Sequence, residues 1–468
     1  MRKPAIFLTY VLIGSYLLLV GGAFYWQIGQ RAALVNHPSN PYRVQERRSI
    51  RRGGIFDSSG EVIAESVQRE KSLERVFRGT LGLAPTIGYF SQRYGTAGLE
   101  KTLDEVLMGR RYPGTSALGR LSHLLSERKS GFDVITSLDL NLQRTVEEAF
   151  GNRKGAAVVM EVKTGRILAV ASMPGFNPNE IDSRWEKIAS DPDSPLYNRA
   201  LAGFYPPGST FKVVVLAAAL TGGELDLTTL FDDPGSITIQ GHRIANAGGT
   251  AWGRISLLDA LVVSSNTVFA EAALRLGSDR LLQTAGAFGI GKRPPLAGEN
   301  VRGGKLPSGP LSPIELAQLA IGQYGIVATP LQMAMVVQAI GNDGLMMEPI
   351  LIDAVKTSEN GGKWVARPRP MGYVISAETA RKIRQAMTEV VSRGTGRSAA
   401  LQGIDIAGKT GSAENPQGKA HAWFVGMAPA DKPAICLAVV VEHGGSGGSA
   451  AAPIARRIFA AYFRGAVG

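Results

Sequence analysis

The chain has 468 residues, of which 44% are hydrophobic, so it is too long for one ordinary domain and suits two or three domains with full cores. Its 51 basic and 39 acidic residues give a net charge of +12, and its only cysteine, Cys436, excludes an intrachain disulfide. Part of the basic excess is one cluster, formed by Arg43, Arg47, Arg48, Arg51 and Arg52. Such a cluster suits nucleic acid, anionic lipid, an acidic polymer or simply a solvated surface, and the apolar segment beside it argues against nucleic acid.

The first predicted element is a membrane anchor over residues 5–26. No charged residue occurs between Lys3 and Arg31, and about 20 apolar residues are enough for a helix to span a bilayer. A cleaved signal peptide is the alternative, but the apolar run is too long for a typical signal core and no A-x-A site follows it. The charges on the two sides do not decide the orientation, because long domains are translocated largely regardless of them.

The region after the anchor is short and charged. Arg52–Ala64 alternates like two strands around a Ser-Ser-Gly turn, and residues 98–108 carry apolar side chains at helical spacing. Residues 113–131 are rich in glycine, serine and charge, and we expect a loop there. The composition changes near Asp133, which predicts the start of the next domain.

The second half of the chain is predicted to build one sheet from distant segments. We expect an amphipathic helix over Asp139–Phe150 and a hairpin of two strands, Gly155–Glu161 and Arg166–Ser172. A mostly helical stretch is expected to run to about residue 342. Three later elements complete the prediction, namely a helix over Ser376–Arg393, a strand over Ala434–Glu442 and a closing helix over Ala450–Phe463.

The most informative stretch is Ser209-Thr210-Phe211-Lys212, which follows the turn Tyr205–Gly208 and precedes an apolar run. Pro-Pro-Gly cannot lie inside a helix, so Ser209 is expected to cap or open one. Residues at i and i+3 share a helix face, which lets the Lys212 amine approach the Ser209 hydroxyl as a base. A helix start also places backbone N–H groups where negative charge develops. The same spacing at Ser126–Lys129 lies in a charged segment and is interpreted as a solvated helix face.

Two further motifs follow in chain order. Ser264-Ser265-Asn266 comes after a helix-like segment, and Lys409-Thr410-Gly411-Ser412 comes after the strand-like segment Ile404–Ala407. Each motif is weak alone, since K-T-G also occurs at Lys163–Gly165, where it is a hairpin turn. The ordered set S-x-x-K, S-x-N and K-T-G-S is specific, because penicillin-binding proteins and class A β-lactamases carry this trio with a related middle motif.

On these motifs the chain resembles a class B penicillin-binding protein of the short type, a membrane-anchored D,D-transpeptidase of peptidoglycan synthesis. The resemblance covers most of the chain and is densest from about residue 133 to the end. Segments beyond the trio that also resemble the family are Asn198–Ala200, Ala328–Ala334 and His421–Gly426, together with Arg52–Ala64 and Gly98–Glu100 nearer the N-terminus.

The resemblance implies a reaction and its machinery. The family cleaves a D-Ala-D-Ala amide through a serine acyl-enzyme and passes the acyl group to an amine on a neighbouring strand, and β-lactams acylate the same serine. Ser209 would be the nucleophile and Lys212 its base. Free lysine is almost fully protonated at neutral pH, so burial and the charge of Lys409 would have to lower the pKa of Lys212.

The remaining motif residues receive roles from the same resemblance. Ser264 would relay a proton to the departing amine, and Asn266 would hold Lys212 or a substrate amide. The backbone N–H groups of Ser209 and Ser412 would form the oxyanion hole. Thr410, Gly411 and Ser412 would bind the substrate, with the two hydroxyls holding its terminal carboxylate beside Lys409.

Several competing interpretations remain open from the sequence. Ser446 lies in a G-x-S-x-G pattern, but no histidine follows it as an α/β-hydrolase requires, so the glycines are expected to form a loop near the active-site edge. A serine β-lactamase shares the trio and would need a carboxylate to activate water, for which Glu315 is the candidate, although it looks like a helix-start glutamate. A β-lactam-sensing receptor would need a cytoplasmic domain that residues 1–4 cannot supply. A D,D-carboxypeptidase would use the same scaffold.

The sequence therefore predicts a mixed α/β protein with a β-lactamase-like, mainly antiparallel sheet that carries helices on both faces. Residues 1–4 are predicted as a cytoplasmic tip, 5–26 as the anchor, 27–132 as a small α+β pedestal and 133–468 as an extracytoplasmic transpeptidase domain. No cofactor or metal is expected, because the histidines show no zinc spacing. The pedestal is too short for a glycosyltransferase, so the resemblance implies a polytopic glycan polymerase of the shape, elongation, division and sporulation class as partner.

Overall fold

The computed structural model describes residues 2–30, 50–69, 72–112, 130–298, 301–356, 363–416 and 418–465. Its α-helices are α1 (Arg2–Phe24), α2 (Ala84–Ile87), α3 (Gly98–Thr102), α4 (Asp104–Leu107), α5 (Leu140–Phe150), α6 (Ile181–Ala189), α7 (Arg199–Ala202), α8 (Lys212–Gly222), α9 (Leu257–Val263), α10 (Asn266–Leu276), α11 (Ser278–Ala287), α12 (Pro313–Ala320), α13 (Pro330–Gly341), α14 (Ala377–Arg393), α15 (Gly447–Ala450) and α16 (Ala452–Gly465). Its strands are β1 (Ile55–Phe56), β2 (Val62–Arg69), β3 (Ser72–Phe77), β4 (Phe90–Ser91), β5 (Gly95–Thr96), β6 (Asp133–Thr136), β7 (Gly155–Glu161), β8 (Ile167–Met173), β9 (Leu230–Asp233), β10 (Ser236–Ile239), β11 (His242–Ala245), β12 (Gly253–Ser256), β13 (Leu345–Met347), β14 (Ile352–Lys356), β15 (Lys363–Val365), β16 (Pro370–Tyr373), β17 (Ala407–Asn415), β18 (Gly418–Ala428) and β19 (Ile435–Val441).

Helix α1 has the properties of the predicted anchor. The segment Ile6–Gly29 has a mean hydropathy of 2.0, and none of it is buried against the rest of the molecule. Among the described residues, it is the one helix long and apolar enough to cross a membrane. A helix that is apolar all round satisfies its backbone hydrogen bonds internally and needs an apolar surrounding for its side chains, which a bilayer supplies.

The sheet nearest the N-terminus has six strands in the order β15-β14-β6-β1-β2-β3. As predicted, β1 and β2 flank a turn, in which the Asp57 carboxylate accepts hydrogen bonds from the backbone N–H of Ser59 and Glu61 at 2.9 and 2.8 Å. Strand β6 pairs in parallel with β1, and β14 pairs antiparallel with β6. One sheet thus joins strands from both sides of the predicted boundary at residue 133.

The larger sheet has five strands in the order β17-β18-β19-β7-β8, and every neighbouring pair is antiparallel. Helix α13 packs on one face, and α5 and α16 pack on the other. Along β7, Val158 faces the first core and Val159 the second, as the alternation of a strand requires. Strand β19 is buried along its whole length because both faces are covered, which explains its continuous apolar run. The predicted fold class is confirmed.

Three local expectations differ from the structure. The predicted helix over 98–108 breaks at Leu103, which lies between α3 and α4 with φ −101° and ψ 15°. The strand predicted just before Lys409 instead contains that residue, since β17 begins at Ala407. The stretch expected to be mostly helical contains β9 to β12, each only four residues long, whose alternation is too brief to stand out in the sequence. Ser126–Lys129 lies outside the described residues.

Candidate active site

Ser209 lies on a tight turn that leads into helix α8. Gly208 has φ +53°, which favours glycine, and a short 3-10 turn over Gly208–Phe211 precedes the helix. Two hydrogen bonds fix this turn from outside: the Gly208 N–H donates to the Gly322 carbonyl at 3.0 Å, and the Trp423 indole donates to the Pro206 carbonyl at 3.0 Å. As predicted, the serine stands at the opening of a helix.

The Lys212 amine lies in the interior and is held by the S-x-N motif. The side chain is 0% exposed. Its Nζ donates to the Ser264 carbonyl and to Asn266 Oδ1, both at 2.7 Å, and contacts Ser264 Oγ at 3.3 Å. In the described parts of the chain, no hydrogen bond joins Lys212 to the Ser209 hydroxyl. The S-x-N motif therefore fixes the amine at the first residue of α8, one turn after Ser209 in the chain.

Two of the partners of Lys212 can accept hydrogen bonds from the amine in its neutral form. The Ser264 carbonyl and Asn266 Oδ1 are pure acceptors, and a neutral amine has two N–H bonds to give them. Its lone pair then remains available to accept a proton from a hydroxyl. Burial lowers the pKa of Lys212 well below its ordinary value, and the nearby charge of Lys409 lowers it further, whereas the Asp233 carboxylate acts in the opposite direction.

Ser264 lies between the two buried amines. The Lys409 amine donates to Ser264 Oγ at 2.9 Å and to the Thr410 carbonyl at 2.9 Å. Ser264 itself adopts the left-handed conformation, with φ +61°, at the end of α9. Such a conformation is unusual for a residue with a side chain and is typical of functional sites. Burial lowers the pKa of Lys409 to about 7.

The K-T-G-S strand lies directly against the nucleophile turn. A Cβ on Gly411 would be 3.0 Å from the Pro207 carbonyl oxygen and 3.1 Å from the Thr210 nitrogen, so a larger residue would push the strand and the turn apart by a few tenths of an ångström. Strand β17 is the edge strand of its sheet, and its free edge faces the turn. The Thr410 hydroxyl lies 2.6 Å from the Thr395 hydroxyl, and Ser412 Oγ accepts from the Gly447 N–H at 3.3 Å.

A single cleft of about 1000 Å³ collects most of the predicted residues. Its walls include Ser209, Ser264, Asn266, Thr410, Gly411 and Ser412. Lys212 and Lys409 lie behind these walls and reach Ser264 from inside. An extended peptide lying along the β17 edge would therefore meet a serine hydroxyl, backbone N–H groups and two further hydroxyls.

The competing candidates occupy other structural positions. Lys163 lies in the turn between β7 and β8, away from the cleft walls. Glu315 forms the capping box of α12: its carboxylate accepts from the Ser312 N–H at 2.9 Å and from the Tyr324 hydroxyl at 2.5 Å. Ser446 precedes α15 and lines the cleft, as the expected glycine-rich loop at its edge. Among the described residues, no group of three or more histidine, cysteine, aspartate or glutamate side chains suits a metal ion.

Sequence reasoning missed several polar residues that support the site. Asn246 follows β11 and accepts from the Asn266 N–H at 2.7 Å, and the Ala245 carbonyl accepts from Asn266 Nδ2 at 2.7 Å. Thr395 follows α14 and contacts Thr410. None of these residues lies in a recognisable motif, because each acts through a contact that only the folded chain creates. The glycine-rich run Gly444–Gly448 was the one signal outside the three motifs, and it predicted a loop at the edge of the cleft.

Comparison with known proteins gives two family matches. Residues 155–460 match the penicillin binding protein transpeptidase domain, and residues 52–134 match the penicillin binding protein A dimerisation domain. The chain is 33% identical to the peptidoglycan D,D-transpeptidase PbpA of Mycolicibacterium smegmatis, over 99% of each chain. It is 33% identical to the peptidoglycan D,D-transpeptidase MrdA of Acinetobacter baumannii, over 78% of this chain and 60% of that protein.

Solved structures agree with these matches. The penicillin G acyl-enzyme of penicillin-binding protein A from M. tuberculosis superposes with a TM-score of 0.81 at 32% identity, over 89% of this chain and 100% of that chain. The D,D-transpeptidase domain of a peptidoglycan glycosyltransferase from Eggerthella lenta superposes with a TM-score of 0.79 at 34% identity, over 89% of this chain and 99% of that chain.

Proposed function

Because the chain belongs to the penicillin-binding proteins, we propose that it is a membrane-anchored peptidoglycan D,D-transpeptidase that forms its acyl-enzyme at Ser209. The observation that carries this proposal is the buried Lys212 amine, which two pure acceptors hold at the start of the helix that Ser209 opens. A serine needs a base to attack an amide, and a desolvated lysine beside a second cation supplies one.

Acylation moves one proton from the nucleophile to the leaving group. Ser209 Oγ attacks the carbonyl carbon of the penultimate D-alanine while its proton passes to Lys212 Nζ. The backbone N–H groups of Ser209 and Ser412 receive the developing oxyanion. The C–N bond then breaks, and the proton passes from Lys212 through the Ser264 hydroxyl to the departing D-alanine amine. The short contacts of Ser264 with both amines support this relay.

The K-T-G-S strand binds the carboxyl end of the substrate. The hydroxyls of Thr410 and Ser412 line the cleft, and the Lys409 amine lies directly behind Thr410. Together they form a hydrogen-bonding and electrostatic cradle for the terminal carboxylate of a D-Ala-D-Ala stem peptide. Gly411 lets this cradle approach the nucleophile turn.

The fate of the acyl-enzyme distinguishes transpeptidation from hydrolysis. An acceptor amine gives a cross-link by the reverse proton path, whereas water gives a carboxypeptidase product. The Glu315 carboxylate is occupied by Ser312 and Tyr324, which supports slow release of a β-lactam rather than turnover. We therefore assign β-lactams as covalent inhibitors and not as substrates.

The proposed substrate determines the orientation in the membrane. Peptidoglycan is assembled outside the cytoplasm, so residues 1–4 would lie inside, 5–26 would span the bilayer and 133–468 would be extracytoplasmic. Residues 27–132 would form the pedestal. The chain would use the nascent strands of a separate polytopic glycan polymerase of the shape, elongation, division and sporulation class, with helix α1 and the pedestal as its contact surfaces.

Labelling with a fluorescent penicillin tests the proposal. We expect the Ser209→Ala variant to lose covalent labelling completely, because no other group forms the acyl-enzyme. The matched control is Ser126→Ala, which removes the other serine with S-x-x-K spacing and should label like the wild type. Labelling that persists in folded Ser209→Ala, or an adduct mapped by mass spectrometry to another residue, would refute the assignment.

A further inference from the structure

Asp233 is a buried carboxylate behind the active site. It ends strand β9, and its side chain is 1% exposed. Its Oδ1 accepts hydrogen bonds from the Gly235 N–H at 2.9 Å and from the Thr267 hydroxyl at 2.8 Å. Within the described ranges, no lysine or arginine forms an ion pair with it. A buried charge without an ion-pair partner is unfavourable, so its position calls for a function.

The carboxylate orients the Asn246 amide. Asn246 Nδ2 donates to Asp233 Oδ1 at 2.7 Å and to Oδ2 at 2.9 Å. Because a carboxylate only accepts, it requires the NH₂ end of the amide and turns the carbonyl end the other way. That carbonyl, Asn246 Oδ1, accepts from the N–H groups of Asn266 and Thr267 at 2.7 and 3.2 Å. These are the first two free N–H groups of α10, so Asn246 caps this helix.

The S-x-N turn is fixed by the same segment at a second point. Asn266 Nδ2 donates to the Ala245 carbonyl at 2.7 Å, which leaves Asn266 Oδ1 facing the Lys212 amine at 2.7 Å. Asp233 thus sets the orientation of the Asn246 amide, which holds the Asn266 backbone N–H, and the neighbouring Ala245 carbonyl sets the orientation of the Asn266 amide. Reversing either amide would place an NH₂ group against a donor.

Asp233 also acts on Lys212 through its charge. Burial and Lys409 lower the pKa of Lys212, and the negative charge of Asp233 raises it. Helices α10, α11 and α14 pack against α8. Most of their charged side chains form ion pairs with groups other than Lys212: Glu271 with Arg275, Arg280 with Glu224, Lys382 with Asp226 and Glu378, Arg384 with Asp343, and Arg393 with Glu389 and Asp259. Asp279 and Arg381 are the remaining charged residues of these helices.

We propose that Asp233 is a positioning residue of the transpeptidase, which aligns Lys212 through Asn246 and Asn266 and places a negative charge behind that amine. The proposal rests on the function assigned to Ser209 and Lys212. Asp233 does not touch the substrate, and it acts only through the chain of hydrogen bonds and through its charge. A neutral Lys212 is the active form, so the acylation rate rises with pH through the pKa of that amine.

The test is the pH profile of acylation by a fluorescent penicillin, measured on the full chain in detergent from pH 5 to 9. In Asp233→Asn the loss of negative charge lowers the pKa of Lys212, so the acidic limb of the profile should move to lower pH by about half a unit or more. Its plateau rate should fall about 10-fold or more, because the Asn246 amide is no longer held in one orientation. A merely structural role would lower the rate at every pH and leave the limb in place.

Asp232→Asn is the matched control, because it makes the same charge change one residue earlier on the exposed face of β9. The acidic limb of the Asp232→Asn pH profile should lie at the same pH as that of the wild type. Asn246→Ala keeps the Asp233 charge and should lower the plateau without moving the limb downward. An unmoved limb in folded Asp233→Asn, or an equal shift in Asp232→Asn, overturns the proposal. If Asp233→Asn does not fold, normal acylation by folded Asn246→Ala overturns it. If penicillin labels the wild type and does not label Ser209→Ala, the proposed function holds whatever the result for Asp233.

Discussion

Two lysine amines approach the same hydroxyl in the interior of this protein. Lys212 and Lys409 are both 0% exposed, and Ser264 Oγ lies 3.3 Å from the first and 2.9 Å from the second. Two ammonium groups so placed would repel each other where little water screens them. Burial lowers the pKa of both amines, so one of them is available as a base. Because both groups are charged in the unfolded chain, burying them also lowers the free energy of unfolding at neutral pH.

The pH dependence of stability follows from this arrangement. Lys409 has a pKa of about 7 in the folded chain against an ordinary value of 10.5, so between those values the unfolded state binds more protons. Stability contributed by this group is therefore lowest at pH 7 and below, and it rises as the pH approaches 10. Lys409→Met lacks this group, so the wild type should gain stability relative to the variant as the pH rises. We expect the difference in melting temperature, variant minus wild type, to decrease from pH 7 to pH 10.

Differential scanning fluorimetry at several pH values measures this difference. Lys163→Met is the control, because it removes the lysine of the other K-T-G sequence, whose side chain is exposed and about 58% accessible. Its melting temperature should keep a constant offset from that of the wild type. A constant offset in Lys409→Met as well would show that the amine remains charged in the folded state.

At the scale of single residues, the sequence indicated the motif residues of the cleft but not the polar residues that hold them in place. Ser209, Ser264 and Lys409 belong to short motifs whose spacing is characteristic, and the structure brings these motifs to one cleft. Their proposed roles remain predictions. Asp233 and Asn246 could not be found in advance, because an aspartate at the end of a strand and an asparagine after a strand are common and their pairing exists only after folding.

At the scale of elements, the site depends on how closely one strand approaches one turn. Strand β17 carries Lys409 to Ser412, and the turn before α8 carries Ser209. Trp423, which pairs with Gly411 across β17 and β18, donates its indole N–H to the Pro206 carbonyl. Trp423 therefore pairs with the K-T-G-S strand and also ties the sheet to the nucleophile turn.

Substitution of Gly411 tests this close approach. In Gly411→Ala the new Cβ would be 3.0 Å from the Pro207 oxygen and 3.1 Å from the Thr210 nitrogen, and both are backbone atoms that cannot swing aside. The strand must therefore move away from the turn by a few tenths of an ångström, and we expect penicillin acylation to slow about 10-fold or more. Stopped-flow labelling gives the rate.

Gly286→Ala is the matched control for steric room. Gly286 lies in α11, and no heavy atom lies within 4 Å of the added Cβ. This change should leave acylation unaltered and raise the free energy of unfolding by about 0.5–1 kcal/mol, as glycine-to-alanine changes in helices do. Unchanged acylation in Gly411→Ala would mean that the strand and the turn are less closely coupled than these distances indicate.

Helices and strands were predicted best where the hydrophobic periodicity of one type continues over many residues. The helix expected over Ser376–Arg393 is α14 with Ser376 as its N-cap, and the expected hairpin of β7 and β8 is present. The short strands β9 to β12 were missed because four residues carry too little periodicity to indicate a strand. The helix break at Leu103 was not predicted because no proline or glycine lies there as a sequence signal.

At the scale of the whole molecule, the N-terminal region and the transpeptidase region are joined through more than a linker. Besides the shared six-stranded sheet, Phe77 exchanges hydrogen bonds with Asn179 at 2.8 and 2.9 Å. The buried Asn198 side chain donates to the Pro85 carbonyl at 3.1 Å and to the Thr86 hydroxyl at 3.0 Å. The composition change at residue 133 therefore lies inside a sheet, which the sequence could not show because β14 and β15 return from about 220 residues later in the chain.

Two truncations test whether these regions are one folding unit. A chain that begins at residue 50 loses only the anchor and the segment after it, so it should be soluble without detergent and should bind penicillin at the full rate. A chain that begins at residue 133 leaves β6 without β1 and leaves the buried amide of Asn198 without its partners, each of which costs about 1–3 kcal/mol. We expect it to melt well below the longer chain or to aggregate, as size-exclusion chromatography and thermal melts of the two would show. Equal melting temperatures and equal labelling would instead mean that residues 133–465 fold independently, and that the shared sheet adds contacts without adding cooperativity.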